Sequence, residues 1–298
     1  MIQYIIPYME KKMLKKVILL SACIFFSGLS YAQETTKGTW HLELKDLSLQ
    51  LTSTDVNNAE YYQGYPNPRL TADSQTLIQG NFDLVSKYDR EKMLWANNLL
   101  MQYGKVTIKP VNKDKTTNTS VDKILLTTDF THKMFKTEDF LGGFVMGPFL
   151  SAGYQTEFTK DDGAPRYKVI RGKAGLRLFE GKYLKDLYAA AVVEYDFTYP
   201  EEVTKYAWEA GLKIEQPVNE KSKAVYTAMI RDFFHFDNPS VNNLSYEFEL
   251  DARLNTEIMK DLAIAPFINY YQGKGINNDR AGSNLYIGIA ISYKKLFF

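Results

Sequence analysis

The sequence predicts an all-β fold, an antiparallel transmembrane up-and-down β-barrel of about twelve strands, and three observations predict it. A leader of the secretory type opens the chain. Beyond it, apolar and polar residues alternate through one segment after another. The connections between those segments are long and short by turns.

The leader comes first in the chain. Lys15 and Lys16 precede an apolar run over 17–26, and Ser30-Tyr31-Ala32 then offers a small-x-small cleavage site. A basic region, a short apolar region and such a site make a signal peptide. The run is too short for a membrane helix, which needs about 20 apolar residues. Met13-Leu14-Lys15-Lys16 opens a complete signal by itself. Leu20-Ser21-Ala22-Cys23 also resembles a lipoprotein box around the sole cysteine. The stretch before Cys23 is short and Ile24, Phe25 and Phe26 follow it, so cleavage after Ala32 is the expectation. The domains expected are therefore a signal peptide over 1–32 and a barrel over 33–298.

Cleavage removes Lys11, Lys12, Lys15 and Lys16 but only one acid, Glu10. The formal +1 of the whole chain then becomes slightly negative. Nucleic-acid binding needs a basic patch, so this balance argues against it. The mature chain keeps no cysteine, and no disulfide supports it. No later stretch reaches the length of a membrane helix.

The strands follow. Aromatic residues are abundant (Tyr 21, Phe 18, Trp 3), and strong β-formers at period two are the primary strand signal. Leu187, Ala189, Ala191, Val193, Tyr195, Phe197 and Tyr199 alternate with Tyr188, Ala190, Val192, Glu194, Asp196 and Thr198. Tyr246, Phe248, Leu250, Ala252 and Leu254 alternate with Glu247, Glu249, Asp251, Arg253 and Asn255. Tyr206, Trp208, Ala210, Leu212 and Ile214 oppose Glu209, Lys213 and Glu215. Leu285, Ile287, Ile289, Ile291 and Tyr293 oppose Tyr286, Gly288, Ala290, Ser292 and Lys294. Similar dyads run through 124–134, 144–154 and 170–178, and the phase shifts between Leu44 and Leu47.

A soluble sandwich shows the same alternation. Strands of about ten residues or more suit a tilted membrane strand better than the usual 5–6. Trp40, Tyr195, Phe197, Tyr199, Tyr270, Tyr271 and Tyr293 near strand ends suit interfacial girdles. Long connections are expected over 52–76, 109–120, 160–165, 234–243 and 273–283. Short ones are expected over 87–92, 136–139, 180–183, 216–222 and 257–261, and 199–203 is intermediate. Long outer loops and short periplasmic turns alternate in this way, and an even strand count returns both ends to the periplasm. Phe298 closes the last amphipathic strand, and is expected to present it to a barrel-assembly machinery.

If the apolar faces meet outer-membrane lipid, the alternate residues line a lumen. Arg171, Lys173 and Arg177 then stand on one strand, Glu194 and Asp196 on the next, and Glu209, Lys213 and Glu215 on the next. Glu247, Glu249, Asp251 and Arg253 follow. Opposite charges across a ladder stabilise one another. Two readings are open: a lumen braced by ion pairs, or a small polar channel whose charged rows select solutes. The Tyr61-Tyr62-Gln63-Gly64-Tyr65-Pro66-Asn67-Pro68 segment is expected to pack rigidly on the rim. A lumen plug and a loop that binds a sugar or partner are its alternatives.

Catalytic groups are sparse. No pair among His41, His132 and His235 has metal-ligand spacing, and no cofactor fingerprint is present. Outer-membrane phospholipases, barrels of similar size, carry a His followed two residues later by the nucleophilic Ser. Glu43, Met134 and Asp237 stand at that offset here. Gly142, Gly143 and Gly147 read as strand glycines. The expectation is a protein that is not an enzyme, with no metal, no cofactor and a small polar solute as candidate cargo. A lipid-modifying enzyme and a soluble secreted β-sandwich are the alternatives.

Trp95, Asn97 and Leu99, then Tyr103-Gly104 and Val121-Asp122-Lys123-Ile124-Leu125-Leu126, resemble a Bacteroidota family known only as a domain of unknown function. The resemblance covers roughly residues 79–158. It implies a secreted outer-membrane barrel, and it brings no active residues.

Overall fold

The computed structural model describes residues 38–298, except 63–64, 66–67, 72–75, 109–115, 139, 160–164 and 240–242. The leader, Cys23 and the cleavage site after Ala32 lie outside the described residues. So do the centres of the 109–120 and 160–165 connections.

The strands are β1 (Thr39–Asn57), β2 (Thr76–Arg90), β3 (Met93–Ile108), β4 (Thr116–His132), β5 (Phe135–Thr137) and β6 (Phe144–Thr156). They continue with β7 (Val169–Phe179), β8 (Leu184–Asp196), β9 (Val203–Pro217), β10 (Ser222–Asp237), β11 (Leu244–Met259), β12 (Leu262–Gly275) and β13 (Gly282–Leu296). Apart from β4 and β5, every strand pairs antiparallel with its neighbours in sequence; β1 pairs with β13 and β4 with β6, so the sheet closes on itself. β5 has three residues and pairs only with β6. The partners Thr131↔Phe149 and Phe135↔Met146 differ by one residue in register, so β5 continues β4 across an irregularity. Thirteen strands with one such continuation make a twelve-stranded up-and-down barrel. Closure removes every open edge of the ring, the one sheet arrangement that crosses lipid without unpaired backbone groups.

The alternation decides which residues face out. Leu49, Leu176 and Ile289 are 61%, 57% and 52% exposed, whereas their neighbours Gln50 and Ala290 are buried. Leu187, Val193, Trp208, Leu250, Ile287 and Ile291 also stand on the outer face, as their dyads predict. A soluble protein rarely exposes so continuous an apolar surface. The phase shift in β1 is a bulge. Leu44 pairs with Leu84 and Leu47 with Phe82, which leaves an extra residue between them. The bulge keeps Leu42, Leu44, Leu47, Leu49 and Leu51 on one face despite their change of parity. At this end of the barrel the outward rings of Trp40, Tyr88 and Trp95 form a cluster, with centroids 5.0 and 6.1 Å apart. At the other end Tyr195 stacks on Phe197 at 5.7 Å. Tyr271 departs from the predicted girdle, because its position in β12 points inward and it is 2% exposed.

Apart from the three-residue β5, strand lengths run from 11 residues in β7 to 19 in β1. They exceed the sequence expectation because residues 52–57, 234–237 and 273–275, read as loop, extend the ladder. The alternation of connections holds. One end carries 58–75, 157–168 and 276–281; the other carries the tight turns 91–92 and 260–261. The 218–221 turn is fixed by Asn219, whose Oδ1 accepts from the amides of Lys221 (2.9 Å) and Ser222 (2.8 Å). Gly142 and Gly143 are not strand glycines. They form a short turn before β6 with φ of 80° and 81°, a region where a side chain is strained, and only Gly147 lies within a strand.

Candidate functional site

Inside the barrel the ladder sets charged side chains in rows. Arg171, Glu194 and Lys205 are direct neighbours across β7, β8 and β9. Arg171 Nε donates to Glu194 at 2.8 Å and Lys205 Nζ donates to it at 2.9 Å. Glu209, Arg231 and Glu247 are direct neighbours across β9, β10 and β11. Arg231 Nε donates to Glu209 at 2.7 Å and its Nη1 donates to Glu247 at 2.5 Å. Lys173 also pairs with Glu209, and the Tyr188 hydroxyl donates to it at 2.6 Å. Arg231 lies 3.9 Å from Glu194, which joins the two rows into one network. The Glu209 side chain is 0% exposed. Removing such a group from water is costly unless charge and hydrogen bonds replace the water, and here four donors do so.

Each residue expected in the lumen stands on an inward position of its strand. Arg171, Lys173, Glu194, Asp196, Glu209 and Glu247 belong to the network. Arg177 pairs instead with Asp186 at 3.0 Å, Lys213 with Glu215 of its own strand at 3.4 Å, and Arg253 with Asp251 of its own strand at 3.4 Å. Among the described strand residues none of opposite charge forms an ion pair with Glu249, although Lys123 of β4 lies near enough to act on it electrostatically. The ion-pair partner of Glu249 is Arg69 at 2.8 Å, from the connection between β1 and β2.

That connection corrects the expectation of rim packing. The turn Ala59–Tyr62 and the single helical turn Pro68–Thr71 fold into the barrel mouth. Tyr62 and Leu70 are fully buried and pack against Tyr271 of the inner wall. The Tyr62 hydroxyl donates to the Arg280 carbonyl at 2.7 Å and accepts from the Gly275 amide at 3.3 Å. Asn284, inward on β13, donates to the Arg69 carbonyl at 2.9 Å. The helical turn also approaches β4 on the far side of the ring. Burial alone would lower the Arg69 pKa, but the Glu249 carboxylate outweighs it and raises it. The physical reason for insertion is that Tyr271 and Glu249 each offer a partner, one apolar and one ionic, that a rim position lacks.

The lumen is divided. Val192, Ala207 and Phe233 pack together beside the ionic rows, and Leu77, Ala265, Phe267, Tyr286 and Ala290 form a second cluster near the seam of β1 and β13. On the side of β4, β6, β7 and β8 a cavity of about 240 Å³ remains, lined by Thr127, Asp129, Ser151, Arg171, Lys173, Arg177, Asp186 and Tyr188 among others. The Arg177 guanidinium lies over the Phe149 ring at 4.6 Å.

Sequence reasoning missed Arg69, Asp129, Asp186, Lys205 and Arg231. Lys205 shares parity with Glu209 and Lys213, and Arg231 stands opposite Tyr226, Ala228 and Ile230, so period two could have found both. Nothing local marks Arg69, because its role depends on where the loop folds.

A family described as "Protein of unknown function (DUF3078)" matches residues 70–159, from the inserted turn to just past β6. No curated protein matches the chain. Several solved structures resemble it. The COG4313 outer membrane channel from Pseudomonas putida F1 aligns with TM-score 0.46 and 11% identity, over 88% of this chain and 97% of that one. Outer membrane phospholipase A from Escherichia coli aligns with TM-score 0.46 and 11% identity, over 83% and 90%. The translocator domain of the autotransporter NalP from Neisseria meningitidis gives 0.36 and 11%, over 95% and 97%. At this distance the fold assignment rests on the closed ladder itself.

Proposed function

We propose that the chain is a non-enzymatic barrel of a bacterial outer membrane, a narrow passage for small polar solutes held shut by its own β1–β2 segment. One observation carries the reading. A charge-lined cavity stays open along β4, β6, β7 and β8, while Tyr62 and Leu70 of the β1–β2 segment pack against Tyr271, and Val192, Ala207 and Phe233 pack beside the ionic rows. The apolar outer face supplies the membrane location, since that surface is stable only against lipid. Export by a leader cut after Ala32 and recognition of Phe298 by an assembly machinery complete the route. The resemblance of residues 79–158 to secreted Bacteroidota barrels fits it. Among the described residues no serine hydroxyl bonds a histidine, and His235 pairs with Asp237 at 3.1 Å at the loop end. Lipid incubated with the folded protein is therefore expected to stay intact.

The test is conductance in planar bilayers. The whole protein is expected to open rarely, because Tyr62, Leu70 and Arg69 hold the segment in place. Arg69→Ala removes the ion pair that ties the segment to Glu249, and should open more often. Replacing 58–75 by a two-residue Asn-Gly turn, which suits a hairpin, should give sustained current. If that variant folds but conducts no better than the parent, the passage reading is lost and a purely structural barrel remains.

A further inference from the structure

The proposed passage carries a selectivity that its composition conceals. Counting the cavity's charged residues suggests a preference for anions, because Arg171, Lys173 and Arg177 outnumber Asp129 and Asp186. The pairing reverses that count. Arg171 is held by Glu194, Lys173 by Glu209, and Arg177 by Asp186 at 3.0 Å. Each base facing the open space is thus already neutralised within the wall.

Asp129 is left. Its inward neighbours across the ladder are Ala96 on β3 and Ser151 on β6. The first carries no polar group and the second no charge. Gly153, paired with Thr127 one step along, has no side chain that could pair with Asp129. Among the charged residues lining the cavity, Asp129 alone has no hydrogen bond or ion pair to a described residue. Lys45 and Lys213 approach Asp186 from β1 and β9, but neither lines the cavity.

We infer that Asp129 is the specificity-determining residue of the passage and that it favours small cations, ammonium groups included, over anions of the same size. An unpaired carboxylate in a narrow cavity with low-dielectric walls focuses its field there and raises the local concentration of opposite charge. Rings or points of acid select cations in pores by this means. The inference rests on the passage reading, and its test separates the two.

The full chain carrying Cys23→Ser and Ser151→Cys is refolded into vesicles. It is then treated with two thiosulfonate reagents of similar size, one carrying a quaternary ammonium and the other a sulfonate, with modification read by mass spectrometry. The cationic reagent is expected to react at least about tenfold faster, relative to the rates of both reagents with a free thiol. Adding Asp129→Asn should bring the two relative rates together. Because Asp129 has no hydrogen bond or ion pair to lose among the described residues, that variant should keep the parent's heat-modifiable gel migration. Thr127→Cys gives a second probe position should Ser151→Cys fail to fold. Equal relative rates, or a faster anionic reagent, with Asp129 present would overturn the selectivity and leave the passage intact. Reaction with neither reagent in a folded barrel would show a sealed cavity, and would overturn both.

Discussion

Glu209→Gln isolates the energetics of the lumen. The substitution keeps the shape of the side chain and removes its charge. In the parent, Glu209 accepts from Arg231 Nε at 2.7 Å, from the Tyr188 hydroxyl at 2.6 Å and from Lys173. Removing one member of a buried pair typically costs about 3–5 kcal/mol, because the remaining charge stays buried. Arg231 has a second acid, Glu247, at 2.5 Å, and so stays partly compensated. Lys173 is 21% exposed and can turn toward water in the cavity. Both features place the loss at the lower end, about 3 kcal/mol. The assay is urea unfolding of protein refolded into vesicles. It is followed by the fluorescence of Trp40, Trp95 and Trp208, all on the outer face and responsive to loss of lipid contact. Arg231→Met in the same background should recover part of the loss, with a coupling of about 0.5–3 kcal/mol. A change within about 0.5 kcal/mol for Glu209→Gln would refute the reasoning. It would mean that water already solvates the network and that the lumen beside it is not packed.

Two further outcomes test the outer face and the close approaches in the sheet. Ile289→Arg, in the middle of β13, should cost about 2–4 kcal/mol in the same titration, whereas Leu296→Arg at the strand end should cost about 0–1 kcal/mol; equal costs would argue against a lipid belt. Gly147→Ala would place a Cβ 1.7 Å from the His132 carbonyl oxygen, so a loss of about 1–3 kcal/mol is expected. Gly172→Ala meets nothing within 4 Å, and should change stability by less than about 0.5 kcal/mol.

Much of the barrel is legible in the sequence, because a two-residue period leaves a side chain only two faces to occupy. Leu187 against Tyr188, Trp208 against Glu209 and Ile289 against Ala290 each read correctly from parity alone. Even the β1 bulge shows as the step from Leu44 to Leu47. Strand ends read less well. Asn57, Asp237 and Gly275 look like loop residues, yet the ladder extends through them because a neighbouring strand is present to pair with. Gly142 and Gly143 resemble strand glycines until backbone angles separate a turn from a close approach.

The candidate site is legible only in part, for a related reason. Parity says that Arg171 and Glu194 point inward, but the partner of a charge depends on strand neighbours and on reach. Lys213 turns to Glu215 on its own strand, while Arg231 spans three acids. The insertion of Tyr62, Arg69 and Leu70 is a tertiary event with no period to announce it. Tyr62, Arg69 and Leu70 could as well have stood on the rim by their sequence alone; Tyr271, Glu249 and Asn284 receive them inside.

A closed barrel whose apolar belt lies in lipid should hold its folded shape in mild detergent until it is heated. Gel mobility of the refolded protein in mild detergent, unheated against boiled, tests it most directly. Closure by the pairing of β1 with β13 and of β4 with β6 predicts a compact unheated band that shifts on boiling. Identical migration of the two samples would contradict it.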